Sequence, residues 1–136
     1  MAAFAFRHST IVLNKQYPVT ENHRFDEVVS GIYIIQNVET DRCYIGASRN
    51  VGARWASHRG EIMYYRSPEM KQDYKNNPNA FVFVLIERCT FDELADREVF
   101  WVDAHQSLDP EWGYNVKKPL YRPKRSDYTR IHTPAA

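Results

Sequence analysis

Between residues 31 and 46 the chain reads GIYIIQNVETDRCYIG, and few backbones accept that string. The run GIYIIQN is short, rich in β-branched residues and closed by the polar stretch Asn37-Val38-Glu39-Thr40-Asp41, which signals a turn. Arg42-Cys43-Tyr44-Ile45 then reads as the returning strand, with Gly46 as its expected end. A β-hairpin is the natural solution. Alternation places Tyr33 and Ile35 on one face, while Arg42 and Tyr44 share a face of the partner strand. A register setting Tyr33 opposite Tyr44 would lay the two phenols side by side across the ladder.

A helix is expected next. Ser48 or Asn50 can cap it, and within residues 51–65 Arg54 and His58 stand four apart, so they project from one face. Trp55, Ile62 and Met63 fall on another face and would anchor the helix to the sheet. Ser67-Pro68-Glu69 predicts a second, short helix to about Lys75, because proline suits the first turn behind a serine cap. The apolar run FVFVLI inside residues 80–88 suits a strand covered on both faces. Thr90-Phe91-Asp92-Glu93 has the capping-box pattern and opens a helix to about His105.

Leu94, Glu98, Trp101, Val102 and His105 follow helical spacing on one stripe of that last helix. A carboxylate on an apolar stripe is unfavourable without a partner. Glu98 is therefore either a core ion pair with an arginine or a ligand for a metal at the sheet edge. His105, on the same stripe, reads as a core or capping histidine.

Composition bounds the rest. At 136 residues, 43% hydrophobic and 14% aromatic, the chain is one globular domain with a buried core. Cys43 and Cys89 make neither a disulfide framework nor a zinc ligand set. No stretch approaches a membrane span, and the first residues lack the pattern of a secretory signal, so an intracellular (cytoplasmic) protein is expected. The overall charge of +1 conceals +5 in residues 117–136 against −4 elsewhere. Lys117, Lys118, Arg122, Lys124 and Arg125 in that tail would draw nucleic acid, unless the tail is only a solubilising appendage. The expected division is an N-terminal extension over 1–29 with room for an accessory strand, a domain over 30–116, and the basic tail over 117–136.

Six elements in order, Gly31-Ile32-Tyr33, Tyr44-Ile45-Gly46, Arg54, His58, Glu98 and Gly113-Tyr114-Asn115, resemble the GIY-YIG nuclease family. The resemblance implies a small α/β (α+β) domain, a three-stranded antiparallel sheet flanked by helices, cutting DNA with one divalent metal, Mg2+ or Mn2+. It assigns the metal to Glu98, phosphate stabilisation to Arg54, and positioning or activation of water to Tyr33 and Tyr44. Asn115 would help hold the site together. The base is Tyr33 by analogy, although a phenol of pKa about 10 is a weak base at neutral pH, and His58 is the alternative. Some members carry another histidine in the loop after the first helix; here Tyr64-Tyr65-Arg66-Ser67-Pro68 has none. The resemblance points to a stand-alone homing-type or phage-encoded endonuclease, with a restriction or repair nuclease as the alternative. A catalytically silent binding module would be expected to lack Arg54 or Glu98. One site cuts one strand per binding event, so double-strand cleavage would need a homodimer on DNA or sequential nicking.

Overall fold

The computed structural model describes residues 10–11, 16–20, 28–61 and 67–116, with side chains left aside at 10–11 and 57–61. Its frame is an antiparallel sheet. The strands are β1 (Thr10–Ile11), β2 (Gln16–Pro18), β3 (Gly31–Asn37), β4 (Cys43–Ser48) and β5 (Phe81–Arg88). β3 lies between β4 and β5, and β1 and β2 pair with the far side of β5. The three-stranded centre is as expected, but among the described residues the sheet has five strands. The physical reason lies in β5, an apolar strand whose outer edge would otherwise be open for pairing. β2 covers it and brings Tyr17 against the Trp55 ring, with centroids 5.3 Å apart.

The hairpin turn is built by its own side chains. Asn37 Oδ1 accepts from the Glu39 amide at 2.9 Å, and Asp41 takes the left-handed conformation at φ 64°, which aspartate tolerates. Beyond it, helix α1 (Val51–Glu61) is capped by Asn50, whose Oδ1 accepts from the Ala53 amide at 3.1 Å. Ser48 supports the cap instead of making it, accepting from the Asn50 amide at 2.9 Å. Trp55 anchors α1 as expected, while Ile62 and Met63 lie outside the described residues. Helix α2 (Pro68–Asn76) has Ser67 Oγ accepting from the Met70 amide and Pro68 in its first turn. Helix α3 (Leu94–His105) follows one short turn of 3₁₀ helix in which the Thr90 amide donates to Glu93 Oε1.

The two faces of the sheet carry separate cores. Tyr33, Ile35, Phe81, Phe83 and Leu85 pack with Val51 and Trp55 of α1 and Met70 of α2. Ile32, Ile34, Ile45, Val84 and Ile86 pack with Leu94 and Val102 of α3. β5 thus contacts both, as its unbroken apolar run requires. One irregularity redirects a charge: Ile32 pairs with Glu87 and Tyr33 with Leu85, so Ile86 is an extra residue on β5. That bulge turns both Ile86 and Glu87 toward α3. Gly31, beside it, has no room for a side chain, because a Cβ would lie 2.1 Å from the Glu87 carbonyl oxygen.

Two expectations for the hairpin are corrected. β4 does not stop at Gly46 but continues through Ala47 to Ser48. Tyr33 is opposite Gly46, and Tyr44 is opposite Ile35, so the phenols sit diagonally. The role of Gly46 is clearance. A Cβ there would lie 2.3 Å from both Cζ and the hydroxyl oxygen of Tyr33. Gly46→Ala should therefore force the Tyr33 ring off its stack on Phe83 and destabilise the fold by about 1–3 kcal/mol. Urea unfolding of the variant measures this directly; an unchanged midpoint would mean the ring moves aside freely.

Candidate active site

The site forms where the edge strand β4 meets α1 and α3. Tyr33, from β3, is fully buried and stacked on Phe83 at a centroid distance of 5.0 Å, with its hydroxyl over Gly46. Tyr44, two residues before Gly46, is partly buried at the rim of the same core. Arg54, one turn into α1, is also partly buried and hydrogen-bonds the Tyr33 side chain. Glu98, from the second turn of α3, comes close enough for its charge to act on Tyr33, Tyr44 and Arg54. The structure brings these four residues together. His58 is one turn beyond Arg54 on α1, and its side chain lies outside the described residues. Lys117, Lys118, Arg122, Lys124 and Arg125 lie outside them as well.

Electrostatics within the group are uneven. Burial pushes the Glu98 carboxyl up to about 7, and the Arg54 guanidinium only partly opposes this. Among the described residues no side chain makes a salt bridge or hydrogen bond to Glu98. The core ion pair with an arginine does exist, but one residue away. Arg97 Nε meets Glu87 Oε1 at 2.8 Å, both side chains buried, and Trp101 Nε1 donates to the same oxygen at 2.8 Å. Among the described residues, Arg54 is thus the cation that acts on Glu98 beside the tyrosines. A partly buried carboxylate short of positive charge is a fitting ligand for a hard cation, which takes one carboxylate and keeps several waters. Among the described residues no group of three or more His, Cys, Asp or Glu side chains forms a larger metal cluster.

Both phenols are held in the neutral form. Burial raises Tyr33 well above the ordinary tyrosine value, the charges of Tyr44 and Glu98 add to it, and Arg54 opposes. Tyr44 is raised by burial and by Glu98, again against Arg54. This direction runs against Tyr33 as a base in the metal-free protein, and leaves both hydroxyls as hydrogen-bond donors at neutral pH.

Asn115 works on the backbone. The segment Gly113-Tyr114-Asn115 runs parallel to β4 and continues its ladder: the Cys43 amide donates to the Trp112 carbonyl at 3.2 Å, and the Tyr114 amide to the Cys43 carbonyl at 2.8 Å. At the next position the Asn115 carboxamide stands in for a peptide unit. Its Oδ1 accepts from the Ile45 amide at 2.9 Å and its Nδ2 donates to the Ile45 carbonyl at 3.1 Å. The open edge of β4 is thereby closed between Tyr44 and Gly46. Asn115→Ala should expose both Ile45 groups and cost about 1–3 kcal/mol, with faster hydrogen exchange at the Ile45 amide. Unaltered exchange there would show that the carboxamide is dispensable.

A family model described as the GIY-YIG catalytic domain matches residues 29–115. The chain belongs to the GIY-YIG family. A curated relative, intron-associated endonuclease 1 of Enterobacteria phage T4, is 25% identical over 91 residues, covering 64% of this chain and 36% of the relative. The chain thus spans about a third of that relative's length. Among solved structures, a mutant catalytic domain of intron endonuclease I-TevI superposes with a TM-score of 0.62 at 23% identity, over 69% of this chain and 99% of that one. The catalytic domain of homing endonuclease I-TevI gives 0.58 at 25% identity, over 65% and 98%. This agreement carries the fold: an antiparallel sheet flanked by helices.

Around the GIY-YIG residues the structure adds a network that residue spacing did not reveal. The Tyr114 hydroxyl donates to Asp73 Oδ2 at 2.7 Å and accepts from Asn37 Nδ2 at 3.2 Å, and Arg42 reaches the same Asp73 oxygen at 3.4 Å. It ties α2, the hairpin turn and the GYN segment together, and so fixes the strand edge on which Tyr44 stands. Polar side chains bunched at 37–42 are its one sequence signal, and they also read as an ordinary turn. His105 is neither core nor cap; it is exposed on the last turn of α3, stacked on Trp101 at 5.8 Å.

Proposed function

We propose that this GIY-YIG domain is a DNA endonuclease that hydrolyses phosphodiester bonds with a divalent cation, Mg2+ or Mn2+, of the homing or phage-encoded type. The observation that carries the reading is Glu98, a desolvated carboxylate beside one arginine and two neutral phenols. Glu98 would hold the cation, which when bound supplies Lewis acidity at a phosphoryl oxygen. Arg54 offers a planar fork of donors to the non-bridging oxygens and stabilises charge that grows on them. Tyr33, rigid in its stack on Phe83, takes a hydrogen bond from Arg54 and sets the direction of that fork. Tyr44 donates from the rim and orients water or a phosphate oxygen. Asn115 keeps the β4 edge, and so Tyr44, in place.

The relatives are named as endonucleases, which supports a nucleic-acid substrate; we take that substrate to be DNA, and the basic residues 117, 118, 122, 124 and 125 would add phosphate affinity. Among the described residues no helix is long and apolar enough to cross a membrane, in keeping with action on DNA in the cytoplasm of a bacterial or phage-infected cell. A homodimer, or two successive nicks, would complete a double-strand break. The test is incubation of the purified chain with supercoiled plasmid, single-stranded and branched DNA, with and without Mg2+. Metal-dependent nicking or linearisation is expected; binding without cleavage under every metal condition would make the domain a binding module.

A further inference from the structure

The reaction needs a substrate backbone held in register, and one described arginine outside the reacting group is built for it. Arg49 follows the last residue of β4 directly and precedes the Asn50 cap of α1. Its backbone is pinned on both sides: Ser48 Oγ accepts from the Asn50 amide at 2.9 Å, and the Val51 amide donates to the Val29 carbonyl at 2.8 Å. Its guanidinium lies over the ring of Phe91, 5.4 Å from the centroid, within cation–π range. The side chain is half-buried, and among the described residues no carboxylate pairs with it. The other described arginines differ, and Arg88, exposed at the end of β5, has an interaction of its own. Arg42 is committed to Asp73 and Arg97 to Glu87, while Arg54 bonds Tyr33. A guanidinium resting on a ring keeps its N–H edge unspent, and the ring removes much of the freedom a surface arginine would lose on binding.

We infer that Arg49, clamped on Phe91, is a positioning residue that grips a backbone phosphate of the DNA next to the one under attack. It rests on the endonuclease reading above. Arg49 stacks on Phe91, in the turn before α3, whereas Arg54 acts on Glu98 in the second turn of that helix, which sets Arg49 apart from the reacting cluster. Yet the two arginines are only five residues apart, across the cap and the first turn of α1, about 7 Å at the helical rise. Successive phosphates of one strand advance about 3.4 Å along the duplex. Arg49 thus reaches one or two phosphates from Arg54, and acts on binding and register instead of on the chemical step.

The experiment uses the full chain and a plasmid-derived duplex. Cleavage kinetics are measured for wild type, Arg49→Ala, Arg49→Lys, Phe91→Leu and the Arg49→Ala/Phe91→Leu pair. DNA affinity against salt is measured in a Glu98→Gln background to prevent turnover. Arg49→Ala should raise KM and Kd roughly three- to tenfold and flatten the slope of log affinity against log salt by about 0.9, with kcat within twofold of wild type. Lysine should restore most of the slope. Phe91→Leu should fall between, and the double variant should be no worse than Arg49→Ala, since the ring acts through the arginine. An unchanged salt slope, or a fall in kcat at constant KM, overturns the inference. Wild-type protein that fails to cut any DNA overturns the endonuclease reading itself. Normal wild-type cleavage with an unaffected Arg49→Ala removes Arg49 alone.

Discussion

Glu98→Gln should abolish cleavage and at the same time make the metal-free protein harder to unfold above pH 7. The first effect follows from losing the one carboxylate proposed to hold the cation. Several kcal/mol of charge stabilisation go with it, a rate loss on the order of a thousandfold or more. DNA binding should persist, because removing a negative charge does not weaken attraction to phosphate. The second effect is a matter of linkage. With its carboxyl raised from 4.5 to about 7, Glu98 holds a proton in the folded state that the unfolded chain has already released between those values. The folded state binds more protons in that window, so this group's contribution to stability falls as pH rises from about 4.5 to about 7 and stays low above it. Glutamine removes the dependence. Allowing for solvent screening at a partly exposed group, the gain at pH 8 is about 1–2 kcal/mol, a few degrees in Tm. Thermal melts of both proteins at pH 5 and pH 8 check it. Mg2+ should then stabilise the wild type at pH 8 and leave the glutamine variant unmoved.

Arg54→Ala should lower the cleavage rate by on the order of a hundredfold or more, as removal of one positioned donor to a developing anion does. Affinity for DNA should fall much less, since ground-state attraction to phosphate is shared with other cations. Lysine restores charge without the bidentate fork, so rescue should be partial. Losing Arg54 also takes away the cation that, among the described residues, restrains the upward shifts of Tyr33, Tyr44 and Glu98. Glu98 should therefore ionise at a higher pH in Arg54→Ala, and the rising limb of the pH–rate profile should move upward. Equal losses of rate and affinity, with full rescue by lysine, would reduce Arg54 to a simple backbone contact.

Local signals in the sequence were enough for the elements that carry the site. The β-branched run after Gly31, the Ser67-Pro68 start, the Thr90–Glu93 box and the apolar run into β5 each depend on neighbours in the chain, and each is found in the structure. What escaped depends on distant partners. Gly46 looks like a strand end, whereas it lies within β4 to clear a ring from the adjacent strand, and this sets Tyr33 opposite Gly46 and not opposite Tyr44. The bulge at Ile86 has no signature in an unbroken apolar run, yet it turns Glu87 toward Arg97 and so decides which carboxylate of the α3 region is neutralised. The parallel GYN segment is closed by a side chain, a pairing that alternation cannot forecast. Glu98 itself was legible as a misfit on an apolar stripe; only packing shows that its neighbours are phenols and one arginine.

The central claim is that Glu98 holds the catalytic cation, and Mn2+ binding followed by electron paramagnetic resonance tests it most directly. Wild type and Glu98→Gln would be titrated at pH 8 and pH 6. The account predicts one Mn2+ bound per wild-type chain at pH 8, affinity falling toward tenfold for each pH unit below about 7, and no comparable site in the glutamine variant. Equal Mn2+ affinity in the two proteins at both pH values would contradict it.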